Sequence, residues 1–262
     1  MQEVVIVGAA RTPLGLYRGI LSDQRSQDLA ASSMKAAIDR AGIDSGKLDA
    51  SIYSEAIQTG LPANVGRHGW LLAGLDENPA GFTMNALCAG AIQTMFSAYN
   101  KIVAGEYSGF LTGGVETNSQ APYYLFHPRY EFGPHSMCFH DQKVEIQTNA
   151  QPVDKYGELT VATIADIIAS NYGLTRSNMD EYAFNSRAKA IAAGENGLFK
   201  DAIVPITKKV KKADVTVDSD EALKKSFSID ELMAMAAINC CGTASEGNIA
   251  ALADGSGSII VL

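Results

Sequence analysis

Between residues 82 and 112 the hydrophobic period of this chain changes twice, and that double change restricts the fold more than any other feature. Phe82-Thr83-Met84-Asn85 reads as a strand that turns sharply into a helix. From Cys88 the apolar residues Ala91, Ile92, Met95, Phe96, Tyr99, Ile102 and Val103 recur at i, i+3, i+4 and i+7, the spacing of a helix with one buried face. Gly105 stops it, and Phe110-Leu111-Thr112 before Gly113-Gly114 is a further buried strand. Strand, helix and strand in so short a span predict a sheet with a helix laid across it, the unit of an α/β layered domain.

The same rhythm runs through the rest. Val4 to Val7, followed by Gly8 and Arg11-Thr12-Pro13, reads as a buried strand leaving into a loop. Leu29, Ala30, Met34, Ala37, Ile38 and Ala41 recur at helical spacing and stop at Gly42. A short strand around Ser51 to Ile57 and a short helix near Gly66 to Leu72 follow. Tyr123 to Asp154 has no clear period but holds three of the four histidines, and is expected to be a surface excursion. Two helices come next, roughly Leu159 to Asn171 and Ser177 to Ala193, the second with Thr175 and Ser177 as possible caps and Gly194 at its close. The chain returns through Ala202 to Ile206, and Ser258 to Leu262 is apolar enough for a central strand.

With 47% hydrophobic and 19% charged residues over 262 positions, a substantial core can be buried. A net charge of -8 repels nucleic acid and anionic lipid, so neither is an expected partner. Lys208, Lys209, Lys211 and Lys212 read as a solvated turn or strand edge, with a local patch for a small anion as the alternative. The longest apolar stretches fall short of the roughly 20 residues a membrane span needs, and no signal-like segment precedes Val4, so a cytoplasmic location is expected. Cys88, Cys138, Cys240 and Cys241 show no framework spacing, and the adjacent pair does not suit an ordinary bridge. Reduced thiols are expected, with room for a reactive one among them.

Cys88 stands where strand gives way to helix, and unpaired backbone N–H groups with the helix dipole would favour a thiolate there. Ala89 and Gly90 leave space for a thioester, and the local N–H groups could receive an oxyanion. Spacing alone also fits a buried structural cysteine, the commoner use of the residue in a helix. His127, His135, Cys138 and His140 lie close enough in sequence for zinc but match no standard site, so a metal-binding or interaction module stays an alternative and no metal ligand is assigned.

The run Asn85-Ala86-Leu87-Cys88-Ala89-Gly90-Ala91 resembles the nucleophile turn of thiolases. Gly113-Gly114-Val115-Glu116 with Ser119 and Pro122 resembles that family's GG-x-E-x-x-S-x-x-P stretch. The likeness extends through Val7 to Pro13, Asp180-Glu181-Tyr182-Ala183 with Ser186, Phe199 to Pro205, and Asn248 with Asp254-Gly255. It implies a thiolase half-fold, a sheet between helices, with a core domain at 1–124 and 209–262 and an inserted, mainly helical loop domain at 125–208. It also implies ping-pong chemistry. Cys88 takes an acyl group from acyl-CoA, and a second acetyl-CoA, deprotonated at its α carbon, attacks the thioester to give 3-ketoacyl-CoA and CoA; the reverse direction cleaves. Coenzyme A thioesters would be the substrates, no cofactor is implied, and a homodimer or tetramer is expected.

In thiolases the second half of the chain supplies another cysteine in a CxG run, a histidine in a GHP-like motif and an asparagine. No GHP run occurs here, and Cys240-Cys241-Gly242, which superficially offers a second thiol, precedes the N-x5-DG element and reads as structural. His68, His127, His135 and His140 match none of the family's catalytic motifs. The family's C-terminal domain is therefore expected from a separate subunit or a further segment. By resemblance the CoA-binding positions are Thr160, where a CoA-contacting His is usual, Lys224, where many members have an Arg against the adenine, and Ala250, where a Ser often meets the pantetheine. Asp166 replaces the usual Glu nearby. These exchanges put CoA affinity or acyl specificity in question and leave a non-catalytic CoA-binding scaffold as the alternative.

Overall fold

The computed structural model describes residues 3–58, 61–125 and 138–262. In chain order its first elements are β1 (Ile6–Arg11), β2 (Gly15–Leu16), α1 (Ser26–Ala41), β3 (Ala50–Ser54), α2 (Val65–Leu72), β4 (Ala80–Met84), α3 (Gly90–Val103) and β5 (Phe110–Thr117). There follow β6 (Tyr123–Tyr124), β7 (His140–Asp141), α4 (Gln142–Thr148), α5 (Val153–Tyr156), α6 (Val161–Tyr172), α7 (Arg176–Glu195), β8 (Ile206–Val210), β9 (Ala213–Val217), α8 (Ile229–Ala234) and β10 (Ala253–Val261). They pack as two compact units. The first takes Met1–Gln120, Gly197–Ala222 and Ala253–Leu262, and the second takes Ala121–Asn196 and Leu223–Leu252.

The expected bounds, 1–124 with 209–262 around 125–208, divide the chain differently. Residues 197–208 fall in the first unit because Ile203 bridges Arg11 and Val204 N donates to Arg11 O at 2.7 Å. Residues 223–252 fall in the second because Arg176 donates to the carbonyls of Leu232 and Met235, both at 2.8 Å.

The first unit is built on a mixed sheet in the order β1-β10-β5-β3-β4, with β2 also paired to β10. β3 runs parallel to β4 and β5, whereas β10 runs antiparallel to β1 and β5. Successive strand residues face opposite sides of a sheet, so neighbours such as Ile52 and Tyr53 serve different cores. Tyr53, Leu111 and Ile260 join the cluster of Leu29, Met34 and Trp70 from α1 and α2. Ile52, Phe110 and Val261 join Ala98 and Ile102 from α3 on the other face. Helices thus cover both faces, as the alternation of periods predicts.

β10 is the central strand expected of the terminal apolar run. β1 is not the buried strand expected of Val4 to Val7. It lies at the sheet edge, with β10 its one strand neighbour in the sheet order and a single bridge from Arg11 to Ile203 on the other side, and Ile6 is 56% exposed. α1 ends as the sequence indicates, with Gly42 left-handed at φ +64°. The lysine run forms the β8–β9 hairpin, in which Lys208 Nζ is engaged by Ile20 O and Asp23 rather than free for an anion.

Within the sheet, glycine is required most tightly at Gly113. A Cβ on Gly113 would lie 2.1 Å from the carbonyl oxygen of Gly257 in the paired strand β10.

The second unit is mainly helical. Thr175, not Ser177, caps α7, through a reciprocal capping box with Asn178, and the helix runs one residue past Gly194. Asp180 on α7 is fully buried and is satisfied by Arg176 Nε at 2.7 Å and Asn248 Nδ2 at 2.8 Å. The aperiodic stretch holds a short ladder, β6–β7, and then α4, whose N-cap Asp141 accepts from Lys143 N. That seven-residue helix is too short to show a period.

Candidate active site

β4 delivers the chain to Asn85, whose side chain ties the start of the next turn to the segment after β3. Its Nδ2 donates to Ala56 O at 2.9 Å, and its Oδ1 accepts from Leu87 N at 2.9 Å. Leu87 is left-handed at φ +49°, a conformation non-glycine residues rarely adopt. A single 3-10 turn, Leu87–Ala89, follows, closed by Ala89 N to Ala86 O at 3.1 Å. Cys88 sits on that turn and is exposed. Regular α-helix begins only at Gly90, so the thiol stands two residues ahead of α3 and not within its first turn.

Gly90 lets this junction close down on the sheet. A Cβ there would fall 1.8 Å from Ser54 Oγ at the end of β3. The rest of α3 corrects the expected buried face. Gly90, Thr94, Ala98 and Ile102 are buried, whereas Ile92, Phe96 and Tyr99 are 60, 57 and 44% exposed. The small residues at i and i+4 bring the helix close to the sheet, which turns the bulkier apolar stripe outward.

Behind the turn stands a group of buried carboxylates. Glu116, on β5, accepts from Ala56 N at 3.0 Å and Ile57 N at 3.3 Å, fixing the segment whose carbonyl holds Asn85. Burial pushes its carboxyl above the ordinary range, the backbone N–H groups of Ile57, Ala56 and Thr117 pull it down, and the charge of Asp254 adds to the rise. Asp254 opens β10 and receives Ser119 N at 2.9 Å and Ser119 Oγ at 2.5 Å. Its carboxyl is also raised, first by burial and then by Glu221, against the two bonds from Ser119.

Glu55 was passed over in the sequence. It is 1% exposed, one of its oxygens has no hydrogen-bond partner, and burial pushes its carboxyl up to about 7. The available signal was a charge inside the apolar run from Ser51 to Ile57.

Two of the stretches that carried the sequence resemblance, Gly113 to Glu116 and Asp254-Gly255, lie side by side in paired strands. In the β5–β10 register Gly113 faces Ser258, Gly114 faces Gly257, Glu116 faces Gly255 and Thr117 faces Asp254. The family model for the thiolase N-terminal domain matches residues 4–262. The chain belongs to the thiolase family.

The chain is 33% identical over 261 residues to an acetyl-CoA acetyltransferase of Syntrophomonas wolfei, covering 100% of this chain and 65% of that relative. It is 34% identical over 269 residues to a β-ketoadipyl-CoA thiolase of Pseudomonas aeruginosa, covering 99% and 66%. Among solved structures it superposes on the acetyl-CoA acetyltransferase of Bacillus anthracis with TM-score 0.93 at 29% identity, covering 100% of this chain and 66% of that one. Human mitochondrial 3-ketoacyl-CoA thiolase gives TM-score 0.91 at 30% identity, covering 98% and 65%. The chain spans just under two thirds of the length of these thiolase relatives.

The three positions expected by resemblance to bind CoA, Thr160, Lys224 and Ala250, lie in the second unit, apart in sequence and each in its own surroundings. Thr160 caps α6, its Oγ1 accepting from Thr163 N at 3.2 Å. Lys224 ends a 3-10 turn and is exposed, and so is Ala250. Asp166 accepts from Asn239 Nδ2, Thr243 N and Ala244 N at 2.7 to 2.8 Å. Burial tends to raise its carboxyl, but the bonds from Asn239, Ala244 and Thr243 hold it below the ordinary range. Of the residues weighed for zinc, His127 and His135 lie outside the described residues, Cys138 is exposed, and His140 Nδ1 meets Glu145 Oε1 at 2.9 Å. Among the described residues no three potential ligands gather. No described helix is long and apolar enough to cross a membrane.

Proposed function

We propose that this chain is the nucleophile-bearing part of a thiolase-type acyl-CoA C-acyltransferase. The observation that carries the reading is Cys88, exposed on a strained 3-10 turn whose first residue, Leu87, is held by Asn85, itself tied to Ala56 O. In the first half-reaction the Cys88 sulfur attacks the carbonyl carbon of an acyl-CoA, the C–S bond to coenzyme A breaks, and the acyl group is left as a thioester on Cys88. Backbone N–H groups of the turn would receive the oxyanion. In the second, the α carbon of acetyl-CoA, once deprotonated, attacks that thioester and frees Cys88.

The base for the second step and the group that activates Cys88 come from a further thiolase half, in this polypeptide or in another. Its support is the apolar outer stripe of α3, Ile92, Phe96 and Tyr99, on the helix that follows the nucleophile turn and left uncovered by the described residues. Thr160, Lys224 and Ala250 are the CoA-contacting positions of the second unit, with Thr160 acting through the N-terminus of α6 that it caps. The assembly is a cytoplasmic homodimer or tetramer, with CoA thioesters as its substrates.

The test is mass spectrometry of peptides after brief incubation with acetyl-CoA. An acetyl thioester on Cys88, absent in Cys88→Ser, is the expected result. Acetylation that survives Cys88→Ser, or none even when a thiolase C-terminal half is added to the folded chain, would overturn the assignment.

A further inference from the structure

The strongest feature outside this site is the turn at Asn239 to Gly242. Gly242 N donates to Asn239 O at 3.0 Å, closing a four-residue turn with Cys240 and Cys241 at its two middle positions. Cys241 is left-handed at φ +62°, where a turn ordinarily places Gly or Asn. In extended chain adjacent side chains point to opposite sides. Here the turn brings them together, with the two sulfurs 3.6 Å apart and both residues exposed.

The geometry is held from outside the turn. Asp166 accepts from Asn239 Nδ2 with one oxygen at 2.8 Å. Its other oxygen accepts from Thr243 N at 2.7 Å, Thr243 Oγ1 at 3.1 Å and Ala244 N at 2.8 Å. One carboxylate therefore pins both ends of the segment that carries the thiols.

We propose that Cys240 and Cys241 form a reversible vicinal dithiol–disulfide site that exchanges with low-molecular-weight disulfides. One cysteine thiolate attacks a sulfur of the small disulfide RSSR, forming a mixed disulfide and releasing one thiolate RS⁻. The neighbouring thiolate attacks the protein-side sulfur, closes the ring and releases the second RS⁻. The pair gives up two protons and two electrons, and RSSR leaves as two thiols. The second step is intramolecular and needs the sulfurs to close from 3.6 Å to about 2.05 Å, the length of an S–S bond.

The product is a switch rather than a staple. Consecutive Cα atoms are about 3.8 Å apart, short of the roughly 4.4 Å at which unstrained disulfides begin. Such a bond is strained and exposed, and is readily reduced. This role is separate from the structural one expected of the pair and independent of acyl transfer at Cys88.

The test uses the full chain carrying Cys88→Ser, titrated with oxidised glutathione and read by intact mass and peptide mapping. The peptide containing both residues should lose two hydrogen atoms, and dithiothreitol should restore them. With Cys240→Ser or Cys241→Ser added, the remaining thiol should instead accumulate a stable glutathione adduct. Persistent adduct on the intact pair, a bridge from either residue to Cys138 or to a second chain, or no change in a chain whose circular dichroism is native, would overturn the proposal.

Discussion

Replacing Glu55 by Gln should make the first unit more stable at alkaline pH and much less so in acid. Burial raises the Glu55 carboxyl from 4.5 to about 7. The Ser26 hydroxyl, near but without a bond of normal geometry, pulls the other way, and the Glu116 charge adds to the rise. At about 1.4 kcal/mol per pH unit, that gap is worth about 3 kcal/mol. The folded state holds the proton more tightly than the unfolded one. Stability that is intact below pH 4.5 is therefore lost as pH climbs to about 7, and Gln, which cannot ionise, escapes the loss. The one tryptophan, Trp70, is fully buried on α2, so its fluorescence reports this unit through a urea titration. Between about pH 5 and about pH 8 the stability of Glu55→Gln relative to wild type should rise by about 2 to 3 kcal/mol. Glu116 and Asp254 are raised too, but they remain in both proteins, so their slope largely cancels. A stability difference that changes by less than about 0.5 kcal/mol over that window would refute the argument.

Gly113→Ala places a methyl 2.1 Å from a carbonyl in a paired strand that cannot retreat, so the Trp70 transition should lose about 3 kcal/mol; a loss under about 1 kcal/mol would show the sheet yields there. Asp166→Ala frees both ends of the Asn239–Ala244 segment, and amide exchange at Thr243 and Ala244 should quicken about tenfold or more, whereas unchanged protection would mean the segment is held by something else. Asn85→Ala releases Leu87 N and Ala56 O, and acylation of Cys88 by acetyl-CoA should slow roughly ten- to hundredfold with the fold intact; an unchanged rate would remove Asn85 from the positioning of the nucleophile.

Much of the first unit was legible because its elements carry complete local signals. α1 has its apolar spacing and its Gly42 stop in one stretch of chain, and β10 is apolar over Ile259 to Val261, where it is paired on both sides. Where the reading failed, the deciding partner was remote in sequence. The face of α3 that is buried is set by Ser54 meeting Gly90 and by the small residues Thr94 and Ala98, not by the larger stripe that dominates the periodicity. β1 has the apolar run of a buried strand, but its place at the edge depends on which strands pair, which period alone does not say. At the site, Cys88 was found from its motif, while Glu55 and the carbonyl of Ala56 matter only through contacts across the sheet. The vicinal thiols were visible as neighbours in sequence, yet their convergence depends on Asp166, which stands 73 residues from Asn239.

The same remoteness explains how the nucleophile turn can be strained and still well defined. A non-glycine residue in the left-handed region costs on the order of 1 to 3 kcal/mol and persists only where its surroundings leave no alternative. Leu87 meets that condition through a chain of bonds. Asn85 grips Leu87 N on one side and Ala56 O on the other, and Glu116 grips Ala56 N and Ile57 N. Glu116 in turn rides on β5, held in register by β10, whose Asp254 secures the residue at which β5 ends through Ser119. Release of any link lets Leu87 relax towards an ordinary conformation and carries Cys88 with it. The glycines, the glutamate and the terminal Asp-Gly therefore serve the thiol without touching it, and a single exposed cysteine needs motifs spread over most of the chain.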